Sequence, residues 1–317
     1  MVARILELKL FTALLFTSLV FTQLVHSQEV KRPRILGVAH IALFVSDIEK
    51  SRAFYKDFLG YGEVFSLNKP DGTLSLTFLK INERQYIELF PQTEPGTDRL
   101  NHISIETDDA EAMRAYLGSK GIKVPDKVPK GRIGNSNFNV KDPDGHTVEI
   151  VQYEPAGWSV RDKGKAIGPS RVSPRMMHLG IIVGAVGPAM KFYRDILGFT
   201  ETWRGSSNGT QLSWINLKVP DGDDYIEFML YDKIPAPDKR GGQHHIALEV
   251  PSVAASVSAL EKNPYRSQYA KPMEPKTGIN RKRQLNLFDP DGTRIELMEP
   301  VTIDGKPTPS STALPPH

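Results

Sequence analysis

Cysteine is absent from the 317 residues. That removes disulfides, thiolate metal sites, Cys nucleophiles and acylated lipoprotein anchors together. An excess of one charge is also missing: 40 Lys and Arg stand against 37 Asp and Glu, a net charge of +3. The basic residues are scattered apart from Arg281-Lys282-Arg283, so no basic stripe is available to a nucleic acid. That triplet reads as a solvated charge run, or as a patch that steers an anionic substrate. An apolar run able to span a bilayer is missing as well. Leu10–Val25 is broken by Thr and Ser and falls short of the ~20 residues a spanning helix needs. Arg4 and Lys9 supply positive charge, and Val25-His26-Ser27 places small residues before a cut at Gln28. Residues 1–27 therefore read as a signal peptide, leaving a secreted or periplasmic protein with no stable membrane anchor after cleavage.

What is present is an ordinary globular balance, 39% hydrophobic and 24% charged. The length suggests two domains, each able to bury a core. An internal repeat supports this division. Ala53-Phe-Tyr-Lys-Asp-Phe-Leu-Gly60 returns as Lys191-Phe-Tyr-Arg-Asp-Ile-Leu-Gly198, and Asp142-Pro-Asp-Gly-His-Thr-Val-Glu149 returns as Asp289-Pro-Asp-Gly-Thr-Arg-Ile-Glu296. The repeat gives domain 1 over residues 34–155, a linker over 156–174 without apolar period, and domain 2 over 175–300. Residues 301–317, rich in Pro and Ser, read as a disordered tail.

Each copy divides again. A strand-like run opens every quarter and carries His40, His102, His178 or His245. Helix-like stretches follow around 48–59, 109–120, 187–197 and 252–262, with Gly60 and Gly198 placed as left-handed C-terminal caps. Pro-Asp-Gly recurs at 70–72, 143–145, 220–222 and 290–292 as a turn signal. Each quarter closes on a strand carrying Glu88, Glu149, Glu227 or Glu296. The His-to-Glu separations are 48, 47, 49 and 51 residues. An ionisable side chain in mid-strand, at matching places in eight strands, demands a partner, because burying a lone carboxylate costs several kcal/mol. A shared polar network would supply one. Metal coordination is the more economical explanation, and imidazole with carboxylate suits Zn, Ni, Co, Mn or Fe.

These residues resemble the vicinal oxygen chelate superfamily, which includes glyoxalase I, extradiol dioxygenases and bleomycin- and fosfomycin-resistance proteins. The resemblance covers roughly 34–155 and 172–300. It implies an α+β fold of four βαβββ modules forming two glyoxalase-like domains, each a curved cup around one divalent metal that binds neighbouring oxygens of a small-molecule substrate. By resemblance the ligands are His40, Glu88, His102 and Glu149 in the first cup, and His178, Glu227, His245 and Glu296 in the second.

Two His and two Glu per cup favour a glyoxalase-like lyase or isomerase, with Glu149 and Glu296 as catalytic bases and Glu88 and Glu227 as anchors. The family's glutathione-binding Arg is replaced by Phe44 and Ile182, and its Asn after the first Glu by Gln92 and Tyr231. A glutathione adduct is therefore not the expected substrate. The alternative is an Fe(II)-dependent extradiol-type ring-cleaving dioxygenase using His178, His245 and Glu296. Asn139 and Asn286 stand where that branch carries Tyr, and Glu227 would be a surplus ligand. A non-catalytic binding protein is a third reading, which eight retained ligands disfavour. Asn139 and Asn286 lie ten residues before the last Glu of each cup. They either bind a substrate oxygen or serve strand pairing. His244, adjoining His245, is expected on the opposite, exposed face, and His146 in a solvated turn.

Overall fold

A computed structural model describes residues 30–316, so the expected signal segment, residues 1–27, lies outside the described residues. The first half opens with β1 (Ile35–Val45) and a helix, α1 (Ile48–Arg52), that widens into a π-helical stretch over Ala53–Phe58. It continues with β2 (Gly62–Asn68), β3 (Leu74–Lys80), β4 (Tyr86–Pro91), β5 (Leu100–Thr107), α2 (Ala110–Ser119), β6 (Ser136–Lys141) and β7 (Thr147–Gln152). A short helix, α3 (Trp158–Arg161), lies in the connection. The second half repeats the order. It runs through β8 (Met176–Val183), α4 (Val186–Met190) with its own π stretch Lys191–Ile196, β9 (Thr200–Gly205), β10 (Trp214–Lys218) and β11 (Tyr225–Leu230), and then β12 (His245–Glu249), α5 (Val253–Glu261), β13 (Lys276–Thr277), β14 (Lys282–Phe288) and β15 (Arg294–Thr302).

The strands form two curled mixed sheets, of seven strands ordered β2-β3-β4-β1-β5-β7-β6 and eight ordered β13-β14-β15-β12-β8-β11-β10-β9. In each, the first strands of two modules pair antiparallel at the centre (β1 with β5, β8 with β12). The last strand of each module pairs parallel alongside its own first strand. Three modules are βαβββ. The second lacks a strand, because the Pro- and Gly-rich stretch 125–134 makes only one isolated bridge, Lys130 to Ser136; proline cannot donate to a ladder.

Alternation along the strands separates two faces. Ile41, Leu43, Val45, Ile87, Ile103 and Ile150 face the helices and join their counterparts from the other half in one continuous core. Their neighbours along each strand face the cup, among them His40, Glu88, His102 and Glu149. Capping places the helix starts: Asp47 accepts from the backbone N–H of Glu49 and Lys50, and Asp109 from that of Ala112. Gly60 and Gly198 close the π stretches at φ +79° and +80°, the left-handed conformation that glycine adopts without penalty. Gly222 departs from the turn pattern. Its φ is not positive, and a Cβ there would stand 2.3 Å from the Leu36 carbonyl oxygen, so its glycine answers to close packing.

The halves are tied reciprocally. Tyr55 of the first donates its hydroxyl to Asp289 Oδ2 of the second, and Tyr193 of the second to Asp142 Oδ2 of the first, both at 3.0 Å. The remaining oxygens of Asp142 and Asp289 hold the turns of their own Asp-Pro-Asp-Gly segments. The tail corrects the expectation of disorder. After β15 it crosses the second half, where Thr308 donates to Asn280 O, the Ser311 N–H to Arg204 O, and the Leu212 N–H to Leu314 O. Backbone groups of Arg204, Leu212 and Asn280 supply the partners that composition alone does not reveal. Among the described residues no helix is long and apolar enough to cross a membrane.

Candidate metal centres

The four ligand candidates of the first half come from the four central strands β4, β1, β5 and β7, and those of the second from β15, β12, β8 and β11. Registers align them. Ala42 pairs with both His102 and Glu88, and Ser104 with both His40 and Glu149. In cup 1, His40 Nε2 lies 3.0 Å from His102 Nε2, 3.4 Å from Glu88 Oε1 and 3.5 Å from Glu149 Oε1. In cup 2, His178 Nε2 lies 3.0 Å from His245 Nε2 and 3.6 Å from Glu296 Oε2, and His245 Nε2 lies 3.3 Å from Glu227 Oε2. All eight side chains are buried. His40, His102 and Glu149 form one compact triad, and His178, Glu227 and His245 the other; Glu88 and Glu296 stand beside them.

The donor set fits a divalent ion. Ligands at ~2.0–2.2 Å from one ion are about 3–3.6 Å apart from each other, which is the range of the closer contacts. Burial holds the imidazoles uncharged: His40, His178 and His245 are pushed well below the usual histidine range, and His102 down to about 4. A neutral imidazole has a lone pair to offer. Burial raises the carboxyls, Glu149 to about 7 in spite of its hydrogen bonds, Glu296 to about 7 against the pull of Arg294, and Glu88 well above its ordinary value. Two crowded carboxylates without a counter-ion are costly, and a cation would relieve that cost. Outer partners orient the rings: His102 Nδ1 lies 3.0 Å from Asn101 Oδ1, and His245 Nδ1 2.9 Å from the Gln243 carbonyl.

The two cups differ in their walls. Cup 1 is a cavity of about 180 Å³ lined by Leu67, Leu76, Phe78, Tyr86, Phe90, Val151 and Tyr153. Cup 2, about 210 Å³, is lined by Trp203, Trp214, Lys276, Gln284, Arg294 and Met298. Asn139 and Asn286 pair in register with Glu149 and Glu296 but line neither cavity. Their neighbours two residues earlier reach the carboxylates instead. Asn137 Nδ2 donates to Glu149 Oε2 at 2.8 Å, and Gln284 Nε2 donates to Glu296 Oε1. Both stand diagonally across a strand pair from their carboxylates, a separation that a long polar side chain can bridge. Period-two alternation from Asn139 and Asn286 was the only signal in the sequence that could have found them. Nothing in the sequence singled out Ser104, 3.4 Å from Glu149 Oε1, or Arg294.

Two histidines correct their expected exposure. His244 is fully buried, 3.7 Å from Asp98 Oδ2 and packed edge-on against His146. His146 Nδ1 lies 2.8 Å from Asp142 Oδ2. Both lie at the contact between halves, where the face opposite a cup meets the partner half rather than solvent. Phe44 and Ile182 offer no cation; Phe44 packs edge-on against Phe90 and Ile182 is buried. In the triplet, Arg281 pairs with Asp304 at 2.5 Å, Arg283 is exposed, and half-buried Lys282 lies beside cup 2.

Comparison with known proteins accords with this architecture. Residues 37–150 and 175–297 each match the Glyoxalase/Bleomycin resistance protein/Dioxygenase superfamily. The lactoylglutathione lyase of Neisseria meningitidis is 29% identical over 129 residues, covering 38% of this chain and 94% of that protein. The 2,3-dioxygenase LapB from Pseudomonas sp. KL28 superposes with a TM-score of 0.65 at 18% identity, over 87% of this chain and 97% of that one. The Mn(II)-bound glyoxalase from Novosphingobium aromaticivorans does so with 0.64 at 18% identity, over 89% and 88%. At such identity these two likenesses are of fold. Two matched domains, two curled sheets and two His/Glu clusters together establish that this chain belongs to the Glyoxalase/Bleomycin resistance protein/Dioxygenase superfamily, with its domain present twice in tandem.

Proposed function

We propose that the chain is an exported, divalent-metal-dependent lyase or isomerase acting on a small substrate with neighbouring oxygens. The observation that carries this reading is the pairing, in each cup, of two neutral imidazoles with two buried carboxylates, the last-strand carboxylate being held by a side-chain amide. His40, Glu88, His102 and Glu149 would hold one ion, and His178, Glu227, His245 and Glu296 the other. A bound divalent cation supplies Lewis acidity toward a substrate carbonyl. Glu149 and Glu296 act as bases: Asn137 and Gln284 each hold one carboxylate oxygen, and burial keeps their proton affinity near neutrality, where a general base is most effective. Each base takes a proton from the substrate carbon and returns it to the neighbouring one. Glu88 and Glu227 remain as anchors.

The test uses metal-loaded protein and small hydroxycarbonyl and dicarbonyl compounds in deuterated water. Oxygen-independent turnover with deuterium entering the substrate, lost in Glu149→Gln or Glu296→Gln while metal content holds, is the expected result. Strict dependence on oxygen would replace this reading with the ring-cleaving dioxygenase. Full activity of the Gln variants would end the assignment of the bases.

A further inference from the structure

The two cups share ligands but differ at one position beside the second histidine. In cup 2, Arg294 lies directly across a parallel strand pair from His245, and Thr147 occupies the corresponding place in cup 1, two residues before Glu149. Arg294 Nη2 lies 2.6 Å from His245 Nδ1, and that same nitrogen lies 2.9 Å from the Gln243 carbonyl. One imidazole nitrogen cannot serve both. If it donates to the carbonyl it carries a proton and cannot accept from a guanidinium. With Nε2 turned toward His178 and Glu227 as a ligand lone pair, Nδ1 must carry that proton.

Arg294 then has no acceptor there. Its Nε is already buried without a partner, and its other close contact is Met229 Sδ at 4.0 Å, a weak acceptor. A guanidinium remains charged in any protein environment, and leaving its donors unmade at a half-buried site is costly. Arg294 also lines the cavity that contains Glu227 and Glu296. Lys276, on the same wall, adds positive charge.

We infer that cup 2 takes a small ligand whose neighbouring oxygens include a carboxylate, and that Arg294 is the residue that selects it. The inference rests on the metal-binding reading above. The planar fork suits a carboxylate, and the ligand supplies the acceptor that His245 withdraws. Cup 1 has Thr147 in the place of Arg294, so this contact belongs to cup 2.

The test compares pyruvate with 2,3-butanedione, which have similar size and both carry neighbouring oxygens, but only pyruvate is anionic. Metal-loaded wild type, Arg294→Gln and Arg294→Lys are titrated calorimetrically, with metal content measured on the same samples. Wild type should prefer pyruvate at least tenfold. Arg294→Gln should lose that preference with metal content unchanged, and Arg294→Lys should recover part of it. Equal pyruvate affinity in wild type and Arg294→Gln, or no pyruvate binding, would overturn the assignment. Wild type that takes up no metal would refute the metal reading separately, and the same comparison on the metal-free protein would then decide the role of Arg294.

Discussion

Gly180 carries no side chain, and His245 occupies the space a side chain would need: a Cβ there would stand 1.9 Å from the imidazole. The paired position in cup 1 is Ala42, opposite His102. Overpacking a buried contact costs about 1–3 kcal/mol, and here the displaced atoms belong to a candidate metal ligand. Gly180→Ala should weaken metal binding at cup 2 at least tenfold while cup 1 keeps its metal, measured by competition with a chelating dye. The carboxyl groups set a second expectation at this scale. Glu149 and Glu296, raised to about 7, hold protons in metal-free protein below neutrality, and a cation must displace them. The histidines, His102 lowered to about 4 and the other three pushed well below the usual range by burial, are already neutral there. Metal affinity should therefore climb as pH rises through about 7 and level off above it. Calorimetry in buffers of different ionisation enthalpy should show proton release near pH 6; affinity that does not change between pH 6 and 8 would contradict the buried, protonated carboxyls.

The π-helical stretches and the Asp-Pro-Asp-Gly turns explain each other at the scale of elements. Each stretch delivers one buried tyrosine, Tyr55 or Tyr193, to the aspartate of a turn in the opposite half. The repeated Phe-Tyr and Asp-Pro-Asp-Gly segments were legible as repeats, and the helices and caps they predict are where the structure has them. Their partnership was not legible, because residues 234 positions apart share no local signal. Tyr55→Phe removes one hydroxyl and leaves Asp289 short of a donor in a buried site. A cost of about 1–3 kcal/mol follows, or a few degrees in thermal midpoint. Tyr193→Phe should cost about the same, by the same geometry at Asp142. Changes below half a degree in both would show that these bonds contribute nothing to holding the halves.

For the whole molecule, two complete donor sets predict two equivalents of divalent metal per chain after mild loading, read by elemental analysis; one or none would defeat the two-site reading. The methylglyoxal–glutathione adduct should be turned over poorly. Phe44 and Ile182 stand where a carboxylate-binding arginine is expected, and a charge-assisted pair of that kind contributes about 1.5–3 kcal/mol, so a loss of at least tenfold in kcat/KM is anticipated against enzymes that carry it. Arg294 does not substitute, since it lies beside His245, deep among the ligands.

The sequence by itself determined the modules and the strand positions of their His and Glu residues, because strand alternation and turn chemistry are short-range and the repeat states them four times. His40, Glu88, His102 and Glu149, with their second-half counterparts, converge as that repeat implies. The tertiary structure decided what depends on long-range approach. Diagonal contacts across the strand pairs engaged Asn137 and Gln284 in place of Asn139 and Asn286, and packing between halves buried His244 and His146. Backbone groups of Arg204, Leu212 and Asn280 gave the tail its partners. Strand register set Arg294 against His245. A pattern of apolar and polar residues fixes which face of a strand is buried, but it carries no record of what the neighbouring chain segment brings to that face, and the chemistry of each cup wall resides there.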